Sequence, residues 1–241
     1  MPPIPGGRRS PSPTAVPGGF DRRAGSLDEA EAKRLFAAFG VPSVKETICD
    51  TPDAAAEAAA AVDAPVVVKL LSAAVAHKSE VGGVRVGVAP EDVAAACADI
   101  AAAATDAGIA GPVRFLVQER VRGGVEIIVG FARDPVLGPA LLIGGGGTQA
   151  ELLHDNAVRL LPVDRADIEE MLASLALFPL LDCYRGAPRA DVAALVDAAL
   201  GFAEMCRAFG DRLLDAEINP LFVLPEGQGV KAADGLVRFA D

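Results

Sequence analysis

The side chains best suited to chemistry in this 241-residue chain lie near its end. In Leu213-Leu-Asp-Ala-Glu-Ile-Asn219, a period of two places Asp215, Glu217 and Asn219 on one face of a strand, with Leu214, Ala216 and Ile218 on the other. Folding the following strand back about Gly227 brings Asp234 roughly opposite Asn219, to within a residue or two of register. Oxygen ligands so arranged suit Mg²⁺, which takes one or two carboxylates and completes its shell with water and nucleotide phosphates. A half-exposed strand shows the same alternation, so the pattern leaves both a metal site and a solvated face open.

Two further groups invite chemistry. Lys69 interrupts the apolar run Pro65 to Leu71, and an ammonium in a buried strand needs a counter-charge, either a phosphate or a structural carboxylate. The segment 77–83, HKSEVGG, combines the imidazole of His77, the cationic Lys78, the hydroxyl of Ser79 and the paired glycines Gly82 and Gly83, a set that could close over polyphosphate. Glycines let backbone N–H groups approach phosphate oxygens, and a neutral imidazole is a competent nucleophile toward an activated phosphoryl group. A hairpin turn with a surface histidine is the plainer reading. The spacing is not that of a P-loop, and the four glycines at 144–147 fail the G-x-G-x-x-G pattern of dinucleotide folds at Gln149.

These groups must be held by a framework that the apolar spacing outlines. Ser26 and Glu29 form an S-x-x-E capping box, followed by Ala30, Leu35, Phe36 and Phe39 at helical spacing up to Gly40. A strand at 43–48, a helix from Thr51 and Pro52 to Val62 and a buried strand at 65–71 come next. A strand at 84–88, a helix at 90–104 and strands at 113–119, 126–132 and 139–143 follow. After a less regular stretch come helices at 164–175 and 190–209, then strands at 213–224 and 230–239 around the turn Glu226-Gly-Gln-Gly229. The expected class is α+β, a mixed α/β assembly of two lobes spanning 26–122 and 123–241. Residues 1–25, rich in Pro, Gly, Ser and Arg, are expected to be disordered and to lie outside the fold.

Composition narrows the function. A formal net charge of −11 argues against a general nucleic-acid binder, which needs a basic surface. The alanine runs are too short and too interrupted by charge to cross a membrane. The four cysteines form no CxxC pair, so neither zinc nor a disulfide framework is suggested, and a cytoplasmic setting fits.

Six segments in order resemble the ATP-grasp domain of the ADP-forming acyl-CoA synthetases, relatives of succinyl-CoA synthetase. They are LDEAEAK at 27–33, VVVKLLS at 66–72, HKSEVGGV at 77–84, VQE at 117–119 with GVE at 124–126, DPVLGP at 134–139 and EINPL at 217–221. The resemblance implies an ATP-grasp fold whose two lobes clasp ATP or ADP. Lys69, Ser79, Gly82 and Gly83 would face the phosphates, with Gln118, Glu119 and Val121 at the adenine and Glu126 near the ribose or phosphates. Asn219 and Asp234, with Glu217 beside them, would hold Mg²⁺, and His77 would relay phosphate.

The implied reaction interconverts acyl-CoA, ADP and phosphate with carboxylate, CoA and ATP. The family's CoA-binding and ligase regions do not occur here, which implies a separate α subunit, with a heterotetramer as the expected assembly. Neither nucleic acid nor membrane is an expected partner. A non-catalytic nucleotide-sensing module is the alternative. Glu80 stands where the family often has Asp, which keeps the charge.

Overall fold

The computed structural model describes residues 16–75, 78–109, 111–134, 136–147 and 155–241. The chain opens with a short strand, β1 (Gly25–Ser26), and helix α1 (Glu29–Ala38). The helix is capped by Asp28 rather than Ser26. The Asp28 carboxylate accepts the Glu31 amide at 2.8 Å, and the Glu31 carboxylate accepts the Asp28 amide at 3.3 Å. Ser26 is already paired with Arg238 in β1, and the Leu27 amide donates to the Val237 carbonyl at 3.0 Å, so the chain cannot turn helical earlier. This shift releases Glu29 from a capping role and lets it turn inward, where it is 2% exposed.

The smaller lobe is a four-stranded antiparallel sheet in the order β2 (Glu46–Cys49), β5 (Arg114–Glu119), β3 (Val66–Leu71) and β4 (Val84–Val88). Helices α2 (Pro52–Val62) and α3 (Val93–Asp106) pack on one of its faces. Thr51 caps α2 by accepting the Ala54 amide at 3.2 Å, with Pro52 at the first helical position, where its missing N–H costs nothing. Val66, Val68 and Leu70 point into the helix-covered core with Phe115 and Val117. Val67 and Lys69 alternate onto the opposite face, which looks toward the rest of the molecule. This is why a lysine can interrupt so apolar a strand.

The larger lobe is built on a seven-stranded sheet of the described residues. Its strands are β6 (Val125–Asp134), β7 (Gly138–Gly145), β8 (Asn156–Leu160), β9 (Leu213–Val223), β10 (Val230–Ala232), β11 (Leu236–Phe239) and β1. They run in the order β1-β11-β9-β6-β7-β8, with β10 also on β9. Helices α1, α4 (Arg165–Ser174), α5 (Phe178–Leu181) and α6 (Val192–Phe209) supply the rest of its core. Gly201 lets α6 approach the end of α1, since a Cβ there would sit 2.1 Å from the Phe39 carbonyl oxygen.

The change of sheet falls between Glu119 and Val125, while α1 lies in the core of the larger sheet despite preceding the smaller one. Residues 16–25 are not outside the fold. Val16 and Phe20 pack against the larger core, and Arg212 donates to the Arg23 carbonyl at 2.8 Å. Among the described residues no helix is long and apolar enough to cross a membrane.

Three local departures concern the end of the chain. The strand expected at 230–239 is divided into β10 and β11 by 233–235, and both halves keep one register on β9, with Ala232 opposite Leu221 and Leu236 opposite Glu217. That shared register sets Asp234 level with Asn219. A bulge leaves Leu214 unpaired between Asp215 and Leu213, so it is 43% exposed rather than inward. The alternation of β9 also slips at Asn219 and Pro220, where the pairing with β6 shifts and the buried positions change from Ala216 and Ile218 to Leu221 and Val223.

Candidate functional site

A cleft of about 500 Å³ opens between the two sheets. Its volume suits a small organic ligand. Val67, Val84 and Val86 form one apolar wall, with Val121, Pro220 and Phe222 opposite, a slot suited to a flat aromatic ring. Lys69, Gln118, Glu119, Arg120 and Glu126 supply its polar atoms.

Lys69 also belongs to a buried cluster of charges centred on Glu29. Glu29 Oε1 accepts from Lys33 Nζ at 2.8 Å, Lys69 Nζ at 2.9 Å and Gln118 Nε2 at 2.8 Å, and Lys78 Nζ forms an ion pair with Oε2 at 2.7 Å, an oxygen with no hydrogen-bond donor among the described residues. Lys69 donates further to the Ala233 carbonyl at 2.8 Å and to Asp234 Oδ2 at 3.0 Å, and Lys78 lies 3.4 Å from Asp234 Oδ1. Lys33 also meets Glu46, whose carboxylate accepts Gln118 Nε2 at 2.9 Å. Burial opposes the charge on Glu29, but the ammoniums of Lys69, Lys33 and Lys78 outweigh it and hold the carboxyl well below its usual range. Burial likewise opposes the charge on Lys69, and the carboxylates of Glu29 and Asp234 outweigh it and raise its pKa. Three ammoniums therefore face three carboxylates, and the ion pairs join α1 of the larger lobe to β2, β3 and the turn after β3 of the smaller one, with the Gln118 amide of β5 as a neutral partner.

Asn219, Glu217 and Asp234 do not themselves line the cleft, although Pro220 and Ala233, the chain neighbours of Asn219 and Asp234, do. Asn219 Oδ1 accepts the Gly147 amide at 3.2 Å, and the Gly146 amide donates to the Glu126 carbonyl at 2.8 Å. The glycine run at the end of β7 is thus laid directly against β6. A Cβ on Gly146 would lie 2.7 Å from the Ile127 carbonyl carbon, and one on Gly147 would collide with the Glu126 carboxylate. Glu217 precedes Asn219 by two residues on β9, and Asp234 is level with Asn219. Among the described residues no three His, Cys, Asp or Glu side chains converge as a preformed metal site. An amide oxygen with one or two carboxylates still fits a Mg²⁺ ion that draws its remaining ligands from phosphate and water.

The other expected residues fall into three groups. Lys69, Gln118, Glu119, Val121 and Glu126 line the cleft. Besides Lys69, two of these have polar groups engaged by protein. The Gln118 amide is held by Glu29 and Glu46, and the Glu119 carboxylate accepts Lys231 Nζ at 2.7 Å and the Lys45 amide at 2.9 Å. Burial works against the charge on Glu119, but those two donors lower its pKa on balance.

Ser79, Gly82 and Gly83 do not line the cleft. They shape the turn after β3, in which the Gly83 amide donates to the Lys78 carbonyl at 2.7 Å and the Leu70 amide to the Gly83 carbonyl at 2.8 Å. This turn sets Lys78 beside Glu29. His77 lies outside the described residues. Glu29, Lys33 and Glu46 were not expected at the site, although Glu29 and Lys33 have the i, i+4 acid-then-base spacing of a helical ion pair.

Comparison with known proteins places this geometry. Residues 20–239 match the ATP-grasp domain family. The chain is 31% identical over 217 residues to the β subunit of ADP-forming acetate–CoA ligase II from Pyrococcus furiosus, covering 88% of this chain and 91% of that one. It is 36% identical over 231 residues to a trans-feruloyl-CoA synthase from an unknown prokaryotic organism, covering 95% of this chain and 32% of that protein. The chain thus spans about a third of that longer relative and of several acid–CoA ligases. A solved structure of the dinucleotide-forming acetyl-coenzyme A synthetase 1 of Ca. Korarchaeum cryptofilum, in complex with coenzyme A, Ca-AMPCP and HgCl⁺, matches with a TM-score of 0.81. It is 31% identical, with 89% of this chain and 93% of that chain covered. This chain belongs to the ATP-grasp family, in the group formed by the β subunits of ADP-forming acetate–CoA ligases.

Proposed function

We propose that this chain is the nucleotide-handling β subunit of an ADP-forming acyl-CoA synthetase. The reaction interconverts acyl-CoA, ADP and phosphate with carboxylate, CoA and ATP. A separate α chain would carry the CoA-binding and ligase regions, in a cytoplasmic heterotetramer. The observation that carries the reading is the position of Lys69, which lines the cleft and whose ammonium meets Asp234 at 3.0 Å.

The base would enter between the valines of β3 and β4 and Phe222 of β9, with its phosphates toward Lys69 and Glu126. Mg²⁺, when bound, would offset charge on the polyphosphate and fix its geometry. Asn219 and Asp234 would hold it, with Glu217 beside them. Lys69 would keep the terminal phosphate oxygens aligned, because phosphoryl transfer depends on positioning and charge stabilisation more than on covalent steps by the protein. His77 would accept the phosphoryl group from an α-chain carrier. In the ATP-forming direction its N–P bond breaks as an ADP β-phosphate oxygen forms the new P–O bond, returning the imidazole to its free state.

The test is reconstitution with a candidate α chain, acyl-CoA, ADP, phosphate and Mg²⁺. ATP should form, and His77→Asn should abolish it along with acid-labile, base-stable phosphate on this chain. Undiminished turnover by the His77 variant would remove the relay.

A further inference from the structure

The reaction outlined above makes no use of the buried carboxylate of Glu29. It stands in the first turn of α1, yet it reaches the smaller lobe through Lys69 Nζ at 2.9 Å, Lys78 Nζ at 2.7 Å and Gln118 Nε2 at 2.8 Å. Its side chain has no exposure and does not line the cleft, so its influence on a ligand must pass through these partners.

The cluster divides about this carboxylate. Away from the cleft, Lys33 joins Glu29 to Glu46. On the other side, Lys69, which lines the cleft, and Lys78, which does not, both also meet Asp234, at 3.0 and 3.4 Å. Asp234 is the accessible member, with 30% of its side chain exposed against none of Glu29. A carboxylate near solvent can give up its partners and be rehydrated, whereas a fully buried one cannot lose its counter-charges without a large desolvation penalty. An anion arriving from the cleft can therefore replace Asp234 as a partner of the two lysines while Glu29 keeps hold of them.

We infer that Glu29 is a positioning residue for polyphosphate. It fixes the ammonium groups of Lys69 and Lys78 from behind, so that both exchange Asp234 for phosphate oxygens without becoming unpaired. The inference rests on the nucleotide-binding reading above. It also explains why one helix of the larger lobe commits a carboxylate to lysines of the smaller one.

The test compares MgADP with AMP, which lacks the β-phosphate, by calorimetric titration of the full chain. If the unaltered chain binds neither, the nucleotide reading itself fails. If it binds MgADP, Glu29→Gln should weaken that affinity at least about tenfold and leave AMP within about twofold, collapsing the preference for the diphosphate. Because Glu29→Gln leaves one buried ammonium in excess, Glu29→Gln combined with Lys33→Met serves as the second variant. It restores the charge balance at a lysine that does not line the cleft. Thermal melts establish which variants fold. Glu29→Asp, which keeps the charge, should recover part of the diphosphate preference. The inference is overturned if a folded variant keeps the MgADP preference, if AMP and MgADP weaken equally, or if neither variant folds and Glu29 is structural alone.

Discussion

Lys69 Nζ lies 3.0 Å from Asp234 Oδ2, an ion pair that ties the third strand of the smaller sheet to the turn between the last two strands of the larger one. The same ammonium bonds Glu29 at 2.9 Å and the Ala233 carbonyl at 2.8 Å. Its charge is therefore satisfied by protein although the residue borders the cleft. A lysine in this position both joins the lobes and stands at the edge of the cleft.

Lys69→Met should separate these two roles. Removing one partner of a buried ion pair costs about 3–5 kcal/mol, and Glu29 retains Lys33 and Lys78, so a loss near the lower end, about 3 kcal/mol, is expected. Urea denaturation measures it. The rise in melting temperature that MgADP gives the unaltered chain should also vanish, since that rise follows affinity for the folded state. A variant that is less stable but still raised by MgADP would confine Lys69 to holding the lobes together.

The pH dependence of stability should carry the signature of the Glu29 cluster. The folded-state pKa of Glu29 lies below its ordinary value of 4.5, so its contribution is fully present above that value and is lost as pH falls toward the folded one. Lys69 acts at the opposite end. Its folded-state pKa is raised above 10.5, so its contribution is fully present below that value and is lost as pH rises through the folded one. Urea midpoints should therefore fall steadily below about pH 5. The double variant Glu29→Gln with Lys33→Met should fall less steeply there. Parallel acid limbs in the two proteins would assign the loss to other carboxylates.

Much of this arrangement can be read from residue types, and the misses have physical causes. The run at 66–71 reads as a buried strand because it is buried on both faces, and the lysine inside it announces a counter-charge. The level placement of Asn219 and Asp234 follows from a period of two and a short turn. Glu29 is hidden because Ser26 and Glu29 match a capping box that strand pairing overrides, with the true box three residues apart at Asp28 and Glu31. Strand β8 is illegible because its pattern is inverted. Val158 and Leu160 face outward at 54% and 44% exposure, while Arg159 turns toward α4 and pairs with Asp167 at 2.8 Å. Periodicity alone cannot announce an arginine on the inner face or the bulge that exposes Leu214.

The cap on α1 bears on the site because it sets where Glu29 points. Asp28→Ala should destabilise the chain by about 1–2 kcal/mol through loss of the cap. A little more follows from its half-exposed pair with Arg114 at 3.1 Å. Asp28→Ser restores a capping oxygen but not the pair, so it should recover most of the stability in urea melts. Equal losses in both variants would assign the effect to Arg114 and leave the cap without weight.

The glycine run after β7 supplies the sharpest steric prediction. A Cβ on Gly146 would stand 2.7 Å from the Ile127 carbonyl carbon and 2.8 Å from its nitrogen, both backbone atoms that cannot swing aside. Gly146→Ala must therefore push the end of β7 away from β6, at about 1–3 kcal/mol, the usual range for overpacking. Because the Gly146 amide bonds the Glu126 carbonyl and the Gly147 amide bonds Asn219, the displacement should also weaken MgADP binding. Gly130→Ala is the control in the same sheet, since its Cβ would meet nothing nearer than 3.9 Å. It should leave binding unchanged and be neutral or slightly stabilising, by up to about 1 kcal/mol, through a less flexible unfolded chain. Melting and titration of the two variants side by side decide the matter. Normal MgADP affinity in a destabilised Gly146→Ala protein would show that the run shapes the sheet without shaping the site.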